Sequence, residues 1–236
     1  MDGGLPDSRV GNGTGAVVTD QPTHPIHLEV LVEELSAKVA LDLLLPRVIP
    51  AGATFVVHAF EGRARLLARL EQRLRGYRFY SPNTRILVLV DRDDDDCRAL
   101  KARLEQTARA SGMPTLSTPE GGTAASGRIR VCNRIVCEEL EAWFLGDPQA
   151  LCAAYPKVKA SFASQTKYRN PDAIVGGTWE AMAHLLNQAG HYRDRARFPK
   201  VEVAQTVTPH LDPDRNTSSS FRVFIAGVRR LTGDLP

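Results

Sequence analysis

Two hydrophobic periods alternate along the first half of the chain. Residues 26–33 (IHLEVLVE), 54–60 (TFVVHAF) and 85–90 (RILVLV) are short apolar runs bounded by polar or turn-forming residues, the pattern of buried strands. Between them, apolar positions recur at helical spacing. Residues 36–45 (SAKVALDLLL) stop at Pro46, which cannot continue a helix. Leu66, Leu67, Leu70 and Leu74 line one face of residues 63–74, with Gly76 as the expected end. Residues 95–110 form a third helix with aspartates at its positive N-terminus. A Gly-, Thr- and Ser-rich loop over 113–127 leads to a short fourth strand at 128–132. The order β-α-β-α-β-α-β predicts an α/β fold, a parallel sheet of about four strands covered by helices. Crossovers should be right-handed and ligands should sit at the carboxyl ends of the strands.

Beyond Ile135 the pattern is mainly helical. Residues 137–145 (CEELEAWFL) read as a helix closed by Gly146, and Asp147 caps a further helix with Pro148 in its first turn. Residues 178–189 (TWEAMAHLLNQA) form an amphipathic helix capped by Thr178, and Ser219 or Ser220 caps a last helix over 221–231. Trp143 and Trp179 lie on these helices and are expected in the core. The segments 155–177 and 210–218 are rich in Pro, Gly, Asn and Ser. The expected organisation is a disordered leader over 1–25, an α/β core over 26–150, and a helical C-terminal extension over 151–236 packed on that core.

Candidate chemistry concentrates where the third strand ends. The apolar run 87–90 stops abruptly at Asp91-Arg92-Asp93-Asp94-Asp95-Asp96. Asp91 and Asp93 are two apart, so in an extended backbone their carboxylates project to one side. Such a pair is a hard-oxygen site of the type that holds Mg2+, and through it a phosphate. Glu33 ends the first strand, and Glu138 and Glu141, three apart, share a helix face. These acids could meet in one pocket, whereas Glu139 points about 100° away and is expected in solvent. Asp94, Asp95 and Asp96 fit helix capping equally well. Counted from Asp91, the sixth and twelfth positions are Asp96 and Ala102, against the Gly and Glu of a calcium EF-hand loop. There is no Walker P-loop, no G-x-S-x-G elbow and no H-E-x-x-H.

Charge is distributed unevenly. The net charge is +3. Up to Ala150 there are 18 Lys and Arg against 20 Asp and Glu, a net −2; beyond it there are 12 against 7, a net +5. Lys157, Lys159, Lys167, Arg169, Arg193, Arg195, Arg197 and Lys200 are interleaved with Tyr155, Tyr168 and Tyr192, which suits either a nucleic-acid contact or a solvated surface. Arg134 and Lys167 are candidate partners for transition-state charge, and His210 with Asp212 reads as a structural turn or a phosphate-orienting pair. His27, His58, His184, His191 and His210 have no spacing that suggests a metal set. Cys97, Cys132, Cys137 and Cys152 form no C-x-x-C pair, as expected of free thiols in a reducing compartment. No apolar stretch approaches the roughly 20 residues of a membrane helix, and the leader lacks a signal-peptide core. A cytoplasmic location and no membrane contact are expected.

Val32-Glu33-Glu34 and the strand ending in Asp91-Arg92-Asp93 resemble the Toprim domain of topoisomerases, primases and overcoming-lysogenization-defect-type nucleases. Most members have Gly after the first Glu; Glu34 stands there, so either Glu33 or Glu34 is the positioned acid. Three segments make the chain similar to an uncharacterised bacterial Toprim-like family: LVLVDRDDDDC (87–97), EELEAWFLGD (138–147), and HLDPDRN (210–216) followed by Ser220-Phe221. The resemblance implies a Toprim-like sheet, an ATPase as partner protein and a role in bacterial defence. With the residues it predicts a Mg2+- or Mn2+-dependent nuclease acting on DNA or RNA. Glu33, Asp91, Asp93 and Glu138 would be metal ligands, and Glu138 or Glu141 would complete a second site or act as base. The alternative is a non-catalytic Toprim-like module that binds metal and nucleic acid and reports to an ATPase. The oligomeric state is not fixed by the sequence.

Overall fold

The computed structural model describes residues 25–93, 95–117, 129–193 and 195–233. Four strands form one sheet: β1 (His27–Val32), β2 (Thr54–Ala59), β3 (Thr84–Asp91) and β4 (Val131–Val136). Their spatial order is β2-β1-β3-β4 and every pairing is parallel. The α/β fold expected from the alternating periods, a parallel sheet of four strands covered by helices, is therefore the one adopted. The chain leaves β1 outward to β2, then returns across β1 to β3 on its other side. With right-handed crossovers, that reversal sends the connecting helices to opposite faces. Accordingly, α1 (Leu35–Leu44) packs in the core of one face, while α2 (Arg63–Tyr77) and α3 (Cys97–Ala110) pack on the other. The crevice between the carboxyl ends of β1 and β3 is the switch point where ligands bind in open α/β sheets.

Alternation along β3 explains why both faces need cover. Ile86, Val88 and Val90 pack under Leu66, Leu70 and Leu74 of α2 and Leu100 and Leu104 of α3. Leu87 and Leu89 point to the opposite core, with Leu28, Val30 and Val32 of β1. That second core also takes in the C-terminal helices: α4 (Glu141–Leu145), α5 (Pro148–Ala154), α6 (Thr178–Gln188), α7 (Lys200–Val207) and α8 (Ser219–Thr232). Trp143 is fully buried there, between the rings of Phe221 and Phe224 at 5.1 and 4.7 Å, and donates Nε1–H to Ser220 Oγ at 3.1 Å. Among the described residues, no helix is long and apolar enough to cross a membrane.

Several elements differ from the sequence expectation. β4 begins at Val131 and runs to Val136, beyond the expected 128–132, because its two polar residues are buried or half-buried and partnered. Asn133 donates to Glu105 Oε1 (3.0 Å), and Arg134 donates Nε–H to the Val223 carbonyl of α8 (3.0 Å). Gly227 faces that guanidinium so closely that a side chain there would collide with it. The expected helix over 137–145 shortens to α4, since Glu138 takes a left-handed backbone (φ 64). α2 runs through Gly76 to Tyr77. α7, which is only eight residues long, was not anticipated. Thr178 is the first residue of α6 after the Gly177 cap, and Ser218, not Ser219 or Ser220, caps α8 by accepting from Phe221 N–H (3.1 Å). The expected leader and most of the 113–127 loop fall outside the described residues.

The late motif around His210 is a clasp. Asp147 is fully buried and takes a two-pronged contact from Arg215, Nε to Oδ1 and Nη2 to Oδ2, both 2.8 Å. It also accepts from the backbone N–H groups of Ala150 (3.1 Å) and Asp212 (2.9 Å). Asn216 donates to the Trp143 carbonyl at 2.7 Å. Breaking a buried ion pair by removing one partner costs about 3–5 kcal/mol, so this clasp fastens the C-terminal helices to the segment after β4. His210 lies exposed in a short 3-10 turn, and the structural reading of His210 with Asp212 is the one the contacts support.

Candidate functional site

Strand register brings the acids together. Val32 pairs with Leu89 and Asp91 pairs with Val136, so the residues following β1, the end of β3 and the turn after β4 share one rim. Glu33 is buried and its Oε1 accepts the Asp91 backbone N–H at 3.0 Å. Glu34 is exposed. Of the two acids, Glu33 is the one in contact with the end of β3.

The three turns at this rim hold left-handed backbones at residues other than glycine. Glu61 follows β2 with φ 58, Asp93 follows β3 with φ 47, and Glu138 follows β4 with φ 64. Such conformations cost roughly 1–2 kcal/mol each, and they cluster at sites where surrounding structure enforces them. Here the Glu138 carbonyl accepts from Arg92 N–H (3.1 Å) and Asp93 N–H (3.2 Å), stitching the β3 and β4 turns together. Arg63, the first residue of α2, ties down the β3 turn. Its Nη1 reaches Asp93 Oδ2 (3.2 Å), Asp95 Oδ2 (3.1 Å) and the Arg92 carbonyl (3.1 Å).

Electrostatics shows how closely the acids interact. Burial raises the Glu33 carboxyl to about 7, with Asp93 adding to the effect and the Asp91 N–H and Arg63 opposing it. Burial also pushes Asp91 well above the ordinary aspartate range, reinforced by the charges of Glu33, Glu141, Asp93 and Glu139. Glu141, 1 % exposed, is raised to about 7 by burial and by Glu139, against the pull of Lys200. Burial disfavours the charge on Lys200, but Glu141 and Glu139 outweigh it and the ammonium is held more firmly than usual. Three carboxyls raised by desolvation and like charge at one rim mark a candidate functional site.

The remaining acids are engaged differently from expectation. Glu138 and Glu141 do not share a helix face, because α4 begins only at Glu141. The Glu138 carboxylate pairs with the Arg92 guanidinium. Glu139, expected in solvent, is half-buried and accepts from Lys200 Nζ (2.9 Å), Thr178 Oγ1 (3.2 Å) and Trp179 N–H (3.2 Å). Asp96 caps α3 by accepting from Ala99 N–H (2.7 Å), and Asp94 lies outside the described residues. Arg134 and Lys167 stand apart from the acids: Arg134 bonds α8, and Lys167 sits over the Tyr168 ring at 5.8 Å. Tyr155 and Tyr168 are core residues, with Tyr155 Oη 2.8 Å from Tyr192 Oη, so this group does not form a stacking surface. The four cysteines are free.

Arg63 is a site residue the sequence did not single out; Glu139 was expected in solvent, and Lys200 was read only as part of a basic cluster. Arg63 carried a readable signal, a cation opening the helix that follows the rim strand. Lys200 did not, since only the packing of α7 against α1 brings it to the rim. The donors at the rim are carboxylate oxygens, the chemistry hard divalent ions prefer. Among the described residues, no three His, Cys, Asp or Glu side chains are gathered closely enough, as they stand, to coordinate an ion.

A parallel α/β sheet with a carboxylate cluster at its switch point defines the class. Residues 32–229 match the family described as Domain of unknown function (DUF4276), and the chain belongs to that family. Among solved structures, it is similar to the C-terminal region of the Xanthomonas campestris pv. campestris OLD protein. That likeness has 15% identity and a TM-score of 0.43, covering 87% of this chain and 95% of that one. No curated protein matches.

Proposed function

We propose that the protein is a metal-dependent phosphodiester hydrolase acting on nucleic acid. The observation that carries this reading is the contact of Glu33 with the Asp91 backbone at the switch point, where desolvation and mutual repulsion leave negative charge without sufficient compensation. Glu33, Asp91 and Asp93 would hold Mg2+ or Mn2+, with Glu141 rather than the Arg92-paired Glu138 as the further acid. A bound ion would polarise a phosphoryl oxygen and acidify a water. Glu141, with a pKa of about 7, suits general-base work near neutral pH. Lys200 holds Glu139 and supplies positive charge beside Glu141. Arg63 fixes Asp93 and the β3 turn.

One observation favours a second reading, a non-catalytic module that binds cation and nucleic acid and reports to an ATPase. Arg63 and Arg92 already neutralise Asp93 and Glu138. Incubation of the purified protein with plasmid, single-stranded DNA and transfer RNA separates the two. Cleavage with Mn2+ that disappears in chelator is the expected result. Tight binding with no product in any metal would overturn the hydrolase reading in favour of the module, and turnover of nucleotides but not polymers would redirect it to small-molecule phosphoryl transfer.

A further inference from the structure

The exposed side of α2 carries Arg65, Arg69 and Arg73 at four-residue intervals. Residues at that spacing stack along one helix face, about 6 Å apart along the axis. The row borders the exposed edge of the sheet, where β2 has no outer neighbour. Two adjoining concavities, of roughly 550 and 380 Å3, share Arg69 and Arg73 in their walls. The first also includes Tyr80, which is 50 % exposed beside Phe79 at 91 %. The second extends to His58, Phe60 and Arg65.

The nearby acids are largely committed. Glu61 pairs with Arg65, Asp42 with Lys38 and Glu71 with Arg75. Among the described residues, Arg69 and Arg73 form no ion pair, and the Arg73 guanidinium lies 5.7 Å from the Phe60 ring centre. Two neighbouring guanidinium groups with uncommitted charge, Arg69 and Arg73, in a row that ends near exposed aromatic rings, match the two requirements of a single-strand channel: cations along the backbone and flat faces for bases. The interval between arginines is on the order of one nucleotide of an extended strand. The row also has a direction. Its helix starts at Arg63, which touches Asp93 and Asp95 of the acidic rim, so a strand lying along α2 would be led to the carboxylates.

We propose that the groove between α2 and the β2 edge binds a single-stranded nucleic acid. Arg69 and Arg73 contact successive phosphates, Arg65 contacts the next toward the rim, and Tyr80 stacks a base at the far end. This inference rests on the hydrolase reading only for what happens at the rim; the binding itself is separate from cleavage.

The test measures fluorescence anisotropy of a labelled 20-mer of single-stranded DNA or RNA in chelator, so that nothing is cut. Arg69→Glu with Arg73→Glu is expected to weaken binding at least tenfold, and Tyr80→Ala roughly fivefold. The neutral pair Arg69→Gln with Arg73→Gln should flatten the dependence of log K on log salt by about 0.7 per lost phosphate contact. Unchanged affinity and salt slope in both arginine pairs would overturn the proposal. So would equal competition by polyglutamate, which would indicate an acidic protein partner, or preference for duplex over single strand. Arginine-dependent binding without cleavage under any metal would leave the groove standing and remove the hydrolase. Cleavage that ignores the arginines would do the reverse.

Discussion

Asp91→Asn is expected to reduce Mn2+- or Mg2+-stimulated cleavage by about a thousandfold or more while the fold survives. Asp91 sits at the centre of the rim: its carboxylate feels Glu33, Glu141, Asp93 and Glu139 together. Asparagine has nearly the same shape. The bond that positions Glu33 comes from the Asp91 backbone, so the substitution leaves that contact intact. What is lost is one negative charge and one hard oxygen ligand. Glu138→Gln should cost far less, because that carboxylate is already paired with Arg92. Single-turnover rates on the cleaved polymer, with circular dichroism as the check on folding, measure both. A folded Asp91→Asn protein that cuts at the wild-type rate would refute the assignment.

The second large effect concerns pH. Most proteins lose stability in acid, because native carboxylates are stabilised as anions. Here the sign is reversed for the rim. Glu33 and Glu141 have native pKa values of about 7 against an ordinary 4.5, and Asp91 is raised as well. The native state therefore binds more protons than the unfolded chain between those values. The stabilisation is fully present below about pH 4.5, falls as pH rises, and is gone above about 7. Glu33 and Glu141 each contribute on the order of 2–3 kcal/mol between pH 5 and pH 8. For a chain of this length, the two glutamates together correspond to a fall of roughly 10–20 °C in Tm between pH 5 and pH 8 in chelator. Mn2+ should restore more of it at pH 8 than at pH 5, since the cation replaces the missing protons. Glu105 works against this trend: its net pKa lies below the usual value because Lys101, Thr115 and Asn133 outweigh the burial that would raise it. The comparison is therefore made with Glu33→Gln, in which the slope should shrink. A Tm that is flat or rises across that interval in the wild type contradicts the electrostatic account.

The sheet was readable because parallel strands buried on both faces must be largely apolar, as 86–90 is throughout and 26–33 is apart from His27, Glu29 and Glu33. The switch point followed from the same reading, since acids at two strand ends are conspicuous. What was hidden had polar residues in structural roles. Asn133 and Arg134 disguised half of β4, because their partners, Glu105 and the Val223 carbonyl, lie 28 and 89 residues away in sequence. Glu138 looked helical because its left-handed backbone is imposed by the β3 turn rather than by local sequence. The EELEAWFLGD and HLDPDRN segments looked like chemistry and proved partly architectural, as Asp147 with Arg215 and Asn216 with the Trp143 carbonyl. Lys200 comes to the rim only through tertiary packing, so no periodicity could have marked it.

The most direct test of the central claim, that these distant acids form one cation-demanding cluster, is a calorimetric titration of Mn2+ into the wild type and Asp91→Asn at pH 6.5, in buffers of different ionisation heat. The account predicts Mn2+ uptake by the wild type with release of protons, because Glu33 and Glu141 are partly protonated there, and loss of that uptake in the variant. No uptake by the wild type, or uptake without proton release that persists undiminished in Asp91→Asn, would contradict it.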